Sequence, residues 1–175
     1  MNRFKESEPA LLFVGMLSSD PAVLNHVQQT LEREFGGALL VSPSSEWDYS
    51  SYYQDELGRP LLRQFVFFKN VIDPETLADI KVKTNEIEDS FSVNGKRQIN
   101  LDPGYLTLAK IVLASTKNYA HRIYLRKGIY GEITLFYQDG IFKPHIFTYR
   151  DYQEKNCIDL FMRARELFKK QLHDS

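Results

Sequence analysis

Apolar residues run without alternation through "ALLFVGML", residues 10–17. Such a run predicts a central strand covered on both faces. Next, "SDPAVLNHVQQTLEREFGG" places Leu24, Val27, Leu31 and Phe35 on one helical stripe. Ser19 or Asp20 can cap that helix, Pro21 suits its first position and Gly36-Gly37 ends it. "ALLVSPSSEWDYSSYYQ" predicts a second strand, broken near Pro43, and "DELG" a type I turn. "RPLLRQFVFFK" is expected to return as a third strand, the pair forming a long hairpin with an aromatic tip. "DPETLADIKVKTNEIEDSFSV" predicts a second helix capped by Asp73, with Leu77, Ile80, Thr84, Ile87 and Phe91 inward. "NGKRQINL" supplies a turn and a fourth strand.

The order β-α-β-β-α-β predicts a ferredoxin-like core in an α+β fold. A C-terminal extension follows. It comprises a short helix over about 103–114, a hairpin of about 121–126 with 131–138, and a long helix over about 154–172. There is no internal repeat or linker, so residues 1–175 are read as one domain.

Composition changes this picture little. With 175 residues and 43% hydrophobic content, the chain can bury a substantial core. The lone Cys157 fits a reducing compartment, and no apolar run approaches a membrane span, so a cytosolic protein is expected. Charge is more informative. The net value is −1, yet residues 1–95 hold 8 Lys+Arg against 15 Asp+Glu, and residues 96–150 hold 9 against 3. A basic segment can mark an anionic partner or can pair with the acidic half inside the fold.

Several residues could carry chemistry. Asp102 and Gly104 stand where the fourth strand turns into the short helix. A helix start attracts anions, although Asp102 could equally be only its cap. Alternation in the hairpin puts Ile123, Leu125, Ile133 and Leu135 on an apolar face. Arg122, Tyr124, Arg126, Glu132 and Thr134 then share a polar face. Arginines there could cradle phosphate with Lys117 nearby, or could form cross-strand ion pairs. On the second helix Lys81, Thr84, Asn85 and Glu88 lie in or beside the apolar stripe, as a half-buried network or as a catalytic group.

Other chemistry finds no support. The histidines have no ligand spacing and there is no cysteine pair, so no metal or other cofactor is expected. Cys157 lies in a helix with no sign of activation. "LFVGML" and "RQFVFF" resemble RNA-contact motifs, but Arg63-Gln64 and a doubly buried first strand argue against base stacking on Phe13.

The combination resembles the prokaryotic domain of unknown function 4416 family over nearly the whole chain. The resemblance is strongest in "INLDPGYLTLAKIVLASTKNYAHRIYLRKGIYGEITLFY". It also takes in Tyr52-Tyr53, Glu56, Gly58, Arg63 and the set Lys81-Thr84-Asn85-Glu88. Near the end the family pattern is Trp-Thr-Tyr-Pro-Asp-Tyr, where this chain has Phe147-Thr148-Tyr149-Arg150-Asp151-Tyr152. The resemblance implies no catalytic residues. Its frequent GTP-binding label lacks a Walker loop and an N-K-x-D motif here.

The expected function is binding of a phosphorylated small molecule or nucleotide through Lys117, Arg122, Tyr124 and Arg126, with Asp102, Gly104 and Glu132. The alternatives are an enzyme using Glu132, Glu88 or Asp102 as acid/base, and RNA binding through residues 96–150. Convergence of Arg63, Lys81, Glu88, Asp102, Arg122 and Glu132 on one cleft would favour a small-ligand site.

Overall fold

A computed structural model describes residues 3–175; residues 1 and 2 of the expected domain lie outside the described residues. The fold is α+β. Its strands are β1 (Ala10–Ser18), β2 (Ala38–Val41), β3 (Ser45–Glu46), β4 (Leu62–Ile72), β5 (Asn100–Leu106), β6 (Lys110–Ser115), β7 (Ile123–Arg126), β8 (Ile129–Gln138) and β9 (Ile141–Lys143). The helices are α1 (Pro21–Phe35), α2 (Gln54–Leu57), α3 (Leu77–Ser90), α4 (Arg150–Gln153) and α5 (Lys155–His173). All strands join one antiparallel sheet in the order β2-β4-β1-β5-β6-β8-β7, with β3 beside β4 and β9 beside β8. Among the described residues no helix is long and apolar enough to cross a membrane.

Every residue of β1 is buried, as a doubly covered strand requires. One face carries Leu12, Val14, Met16, Val66, Phe68 and Leu101 against Leu24, Val27 and Leu31 of α1 and Ile80 and Ile87 of α3. The other carries Leu11, Phe13, Phe65, Phe67, Leu113 and Leu135 against Phe161, Ala164 and Phe168 of α5. The Asp20 side chain accepts from the Ala22 N–H and opens α1. Asp73 caps a single 3-10 turn, Pro74–Thr76, that leads into α3.

Four expectations are corrected. The sheet is larger than a four-stranded core with an added hairpin. The short helix over 103–114 does not exist, because those residues form β5, β6 and a tight turn. Thr107 Oγ1 accepts from the Ala109 and Lys110 N–H groups and closes that turn. The "DELG" turn is instead the end of α2, left through Gly58 at φ +86.

The hairpin does not divide into the expected faces either. Arg122, Glu132, Thr134 and Leu135 are buried, whereas Ile123, Tyr124, Leu125, Arg126 and Ile133 are exposed. Register shifts within β6–β8 and β7–β8 break the simple alternation.

Pro103 in the middle of β5 has a local explanation. Leu101 sends its C=O to Lys81 Nζ at 3.0 Å and its N–H to Glu88 Oε1 at 2.6 Å. Both groups therefore point away from β1, and by the two-residue period so does the donorless nitrogen of Pro103. β6 pairs with β5 only from Gly104 onward, so no ladder bond is lost.

Candidate functional site

α5 covers only part of its sheet face. Beyond its reach the same face turns polar. Arg63 on β4, Asn100 and Asp102 on β5, Ser115 on β6 and Glu132 on β8 replace the phenylalanines and leucines. These residues, with Lys81, Asn85 and Glu88 of α3, line a cavity of about 810 Å³. The 47–53 segment and the 149–152 segment form further walls.

Gly15 of β1 makes the floor possible. It lies between Phe65 and Asp102 in the ladders, and a Cβ there would come within 3.0 Å of Arg63 Nη1. Arg63 Nη1 donates to Asp102 Oδ2 at 2.9 Å, and Nη2 lies 3.6 Å from Asp151 Oδ2. Asn100 Nδ2 also donates to Asp102 Oδ2, at 3.0 Å. Burial opposes ionisation of Asp102, but Arg63 and Lys81 outweigh it and hold the carboxyl below its usual range. Burial likewise opposes the charge on Arg63, and Asp102 and Asp151 more than restore it.

Beside the floor, Arg97 grips Glu56 through two 2.8 Å bonds and reaches Glu88 Oε2 at 3.1 Å. Burial raises the pKa of Glu88 despite Lys81, the Leu101 N–H and Arg97. Tyr152 is 2% exposed, and among the described residues neither its hydroxyl nor Arg63 Nε has a hydrogen-bond partner. Burial pushes the Tyr152 hydroxyl well above its ordinary pKa, with Arg63 opposing.

Arg122 is fully engaged. Its Nε donates to Glu132 Oε2 at 2.8 Å, Nη1 to Ser115 Oγ and to the Lys117 carbonyl at 3.0 Å each, and Nη2 to Tyr149 Oη at 2.6 Å. It thus pins the 116–122 loop onto β8 and the 149–152 wall. His121 Nε2 meets the same Glu132 oxygen at 2.5 Å. The loop so held presents Lys117, whose Nζ sits 4.7 Å from the centre of the Tyr52 ring. Neither Lys117 nor Arg150 has a carboxylate within ion-pair distance among the described residues.

An aromatic wall faces these cations. Trp47 is buried and donates through Nε1 to Asp151 Oδ2 at 3.0 Å. Tyr53 meets Trp47 and Tyr52 edge-on. Tyr49, Tyr119, Tyr149 and Tyr152 complete the aromatic lining.

The six polar residues whose convergence would favour a small-ligand site, Arg63, Lys81, Glu88, Asp102, Arg122 and Glu132, all line this one cavity. Of the candidate ligand residues, Asp102, Lys117, Arg122 and Glu132 are brought together, and Gly104, Tyr124 and Arg126 are not. Asp102 lies within β5 and caps no helix. A Cβ on Gly104 would lie 2.5 Å from both Phe13 Cζ and the Val112 carbonyl, so this glycine serves packing. Tyr124 packs edge-on against Tyr130 on the exposed β7, and Arg126 pairs with Asp79 of α3.

Sequence reasoning passed over Trp47, Tyr53, Arg97, Asn100, Asp151 and Tyr152 as site residues. The tyrosine cluster at 49–53 was the available signal, but nothing local says that it folds over the sheet. Burial pushes the Cys157 thiol up to about 12, so it is protonated at neutral pH. Among the described residues no cluster of three His, Cys, Asp or Glu side chains could hold a metal ion.

The family model described as "Domain of unknown function (DUF4416)" matches residues 8–168, and the chain belongs to that family. No curated protein and no solved structure matches the chain.

Proposed function

We propose that the chain binds a phosphorylated small molecule of nucleotide or sugar-phosphate size in the cavity. The observation that carries this reading is the meeting, in one cleft, of cations without carboxylate partners and a wall of aromatic rings. Lys117 and Arg150 at the rim supply charge for phosphate, and Trp47, Tyr52 and Tyr53 supply faces for the rest of the molecule.

A strand order of β2-β4-β1-β5, all antiparallel, supports a ferredoxin-like reading of residues 10–106. The lone free Cys157 supports a reducing, cytosolic setting.

The alternative is an enzyme that uses Glu88, whose buried carboxyl holds its proton to higher pH than an ordinary glutamate. RNA binding is disfavoured. Phe13 is wholly buried, and Arg97, Arg122 and Arg126 of the basic segment are each spent on carboxylates.

The test is a thermal-shift screen with nucleoside monophosphates, sugar phosphates and inorganic phosphate. A ligand bound only by the native state raises the melting temperature by mass action. The reading predicts stabilisation by phosphorylated compounds and none by their dephosphorylated counterparts. Equal shifts from both sets would refute it.

A further inference from the structure

Charge is not spread evenly through the cavity. On the floor, Arg63 and Lys81 stand against Asp102 and Asp151, so the local charges cancel. An additional anion placed there would gain little from the cations and would meet two carboxylates. At the rim, Lys117 and Arg150 have no carboxylate within ion-pair distance among the described residues.

The floor nevertheless has unused hydrogen-bonding capacity. Arg63 Nε and the Tyr152 hydroxyl are buried with no partner among the described residues. Asp102 accepts both of its side-chain bonds, from Arg63 and Asn100, on Oδ2, which leaves Oδ1 available. Unmet donors and acceptors in the interior are uncommon in folded proteins, because each carries a desolvation penalty. Here two such groups, on Arg63 and Tyr152, occur in one floor beside the half-buried Asp102 and the indole of Trp47, whose ring centre is 5.7 Å from Arg63 Cζ. An uncharged group that both donates and accepts satisfies this set. An aromatic face beside it suits the C–H surface of a sugar ring.

We infer that the ligand of this cavity is a phosphorylated polyhydroxylated molecule that enters hydroxyl end first, its sugar hydroxyls on Arg63, Asp102 and Tyr152 and its phosphate on Lys117 and Arg150. This rests on the reading that the cavity takes a phosphorylated small molecule, and adds the class and the orientation of that molecule. Tyr152→Phe isolates the added part. It removes a hydroxyl that makes no bond in the free protein, so the ring packing against Phe65 and Phe161 stays.

The experiment is calorimetric titration of the full chain with ribose 5-phosphate, glucose 6-phosphate, adenosine 5′-monophosphate and inorganic phosphate. Wild type, Tyr152→Phe and Lys117→Ala are compared, and a melting curve of each checks folding. At least one of the sugar-bearing compounds should bind more tightly than inorganic phosphate. Tyr152→Phe should weaken that compound about tenfold, the worth of one hydrogen bond, and leave inorganic phosphate unchanged. Lys117→Ala should weaken both.

If Tyr152→Phe binds every compound as wild type does, or if inorganic phosphate binds as tightly as the sugar phosphates, the hydroxyl-first orientation is wrong while phosphate binding stands. If none of the four compounds binds wild type, both readings fall. An unfolded Tyr152→Phe protein would also overturn the inference, because it would show that the hydroxyl already has a structural role.

Discussion

Arg63 on β4 and Asp102 on β5 meet at 2.9 Å above Gly15, the β1 residue that separates their strands. The pair is the centre of the cavity floor, and a side chain on Gly15 would press on it, its Cβ lying 3.0 Å from Arg63 Nη1. It also changes what a substitution at Asp102 should do.

Were Asp102 a helix cap, Asn would replace it at little cost. In the structure Asp102→Asn instead removes the charge facing Arg63 and Lys81. We expect a loss of about 3 kcal/mol, the low end for breaking a buried pair, because the amide oxygen can still accept from Arg63. The pH dependence follows from the lowered pKa of Asp102. Its contribution is fully present above the unfolded carboxyl value of about 4 and is lost as pH falls through the lower folded value. Urea titrations across that acid range should therefore show a flatter slope for Asp102→Asn. Identical slopes for variant and wild type would contradict the pairing.

Arg122→Ala should unfold the chain far more readily than a surface change would. The substitution strips Glu132, whose side chain is 3% exposed, of its arginine and frees the 116–122 loop. Leaving one partner of a buried pair typically costs about 3–5 kcal/mol. Chemical denaturation checks this, and a change within about half a kcal/mol would place Arg122 back on an exposed face.

Gly104→Ala should destabilise by about 2–3 kcal/mol, because the new methyl would press on the Phe13 ring and on the Val112 backbone. A phosphate-approach role predicts something else: normal stability with lost ligand binding. Melting curves together with binding titrations separate the two.

The hydrophobic pattern made β1, α1, α3 and α5 legible, since each has a long run or a full stripe with recognisable ends. It failed where tertiary pairing overrides local signals. Asp102-Pro103-Gly104 looks like a helix start, and only the free edge of β5 facing α3 lets proline sit inside a strand. The hairpin alternation pointed Arg122 and Glu132 to solvent. They are interior because the 149–152 wall folds over them and supplies the Tyr149 hydroxyl. Of the site, the polar positions on α3 could be read from their place beside the apolar stripe. Asp151 and Tyr152 could not, because Asp151 meets Trp47 and Tyr152 packs on Phe65, both far away in sequence.

Lys117→Ala should leave stability within about half a kcal/mol, since the residue is exposed and its ammonium rests on the ring of the exposed Tyr52. A larger loss in thermal denaturation would make this lysine a clasp of the fold and not a group held ready for a ligand.

The central claim is tested most directly by equilibrium capture. Wild type and the Lys117→Ala/Arg150→Ala double variant are each equilibrated with the same extract of small metabolites and washed. They are then denatured, and the released compounds are identified by mass spectrometry. The account predicts that wild type enriches one or a few phosphorylated compounds and that the double variant, folded by its melting curve, releases none of them. Enrichment that is equal in the two proteins, or confined to unphosphorylated compounds, would contradict it.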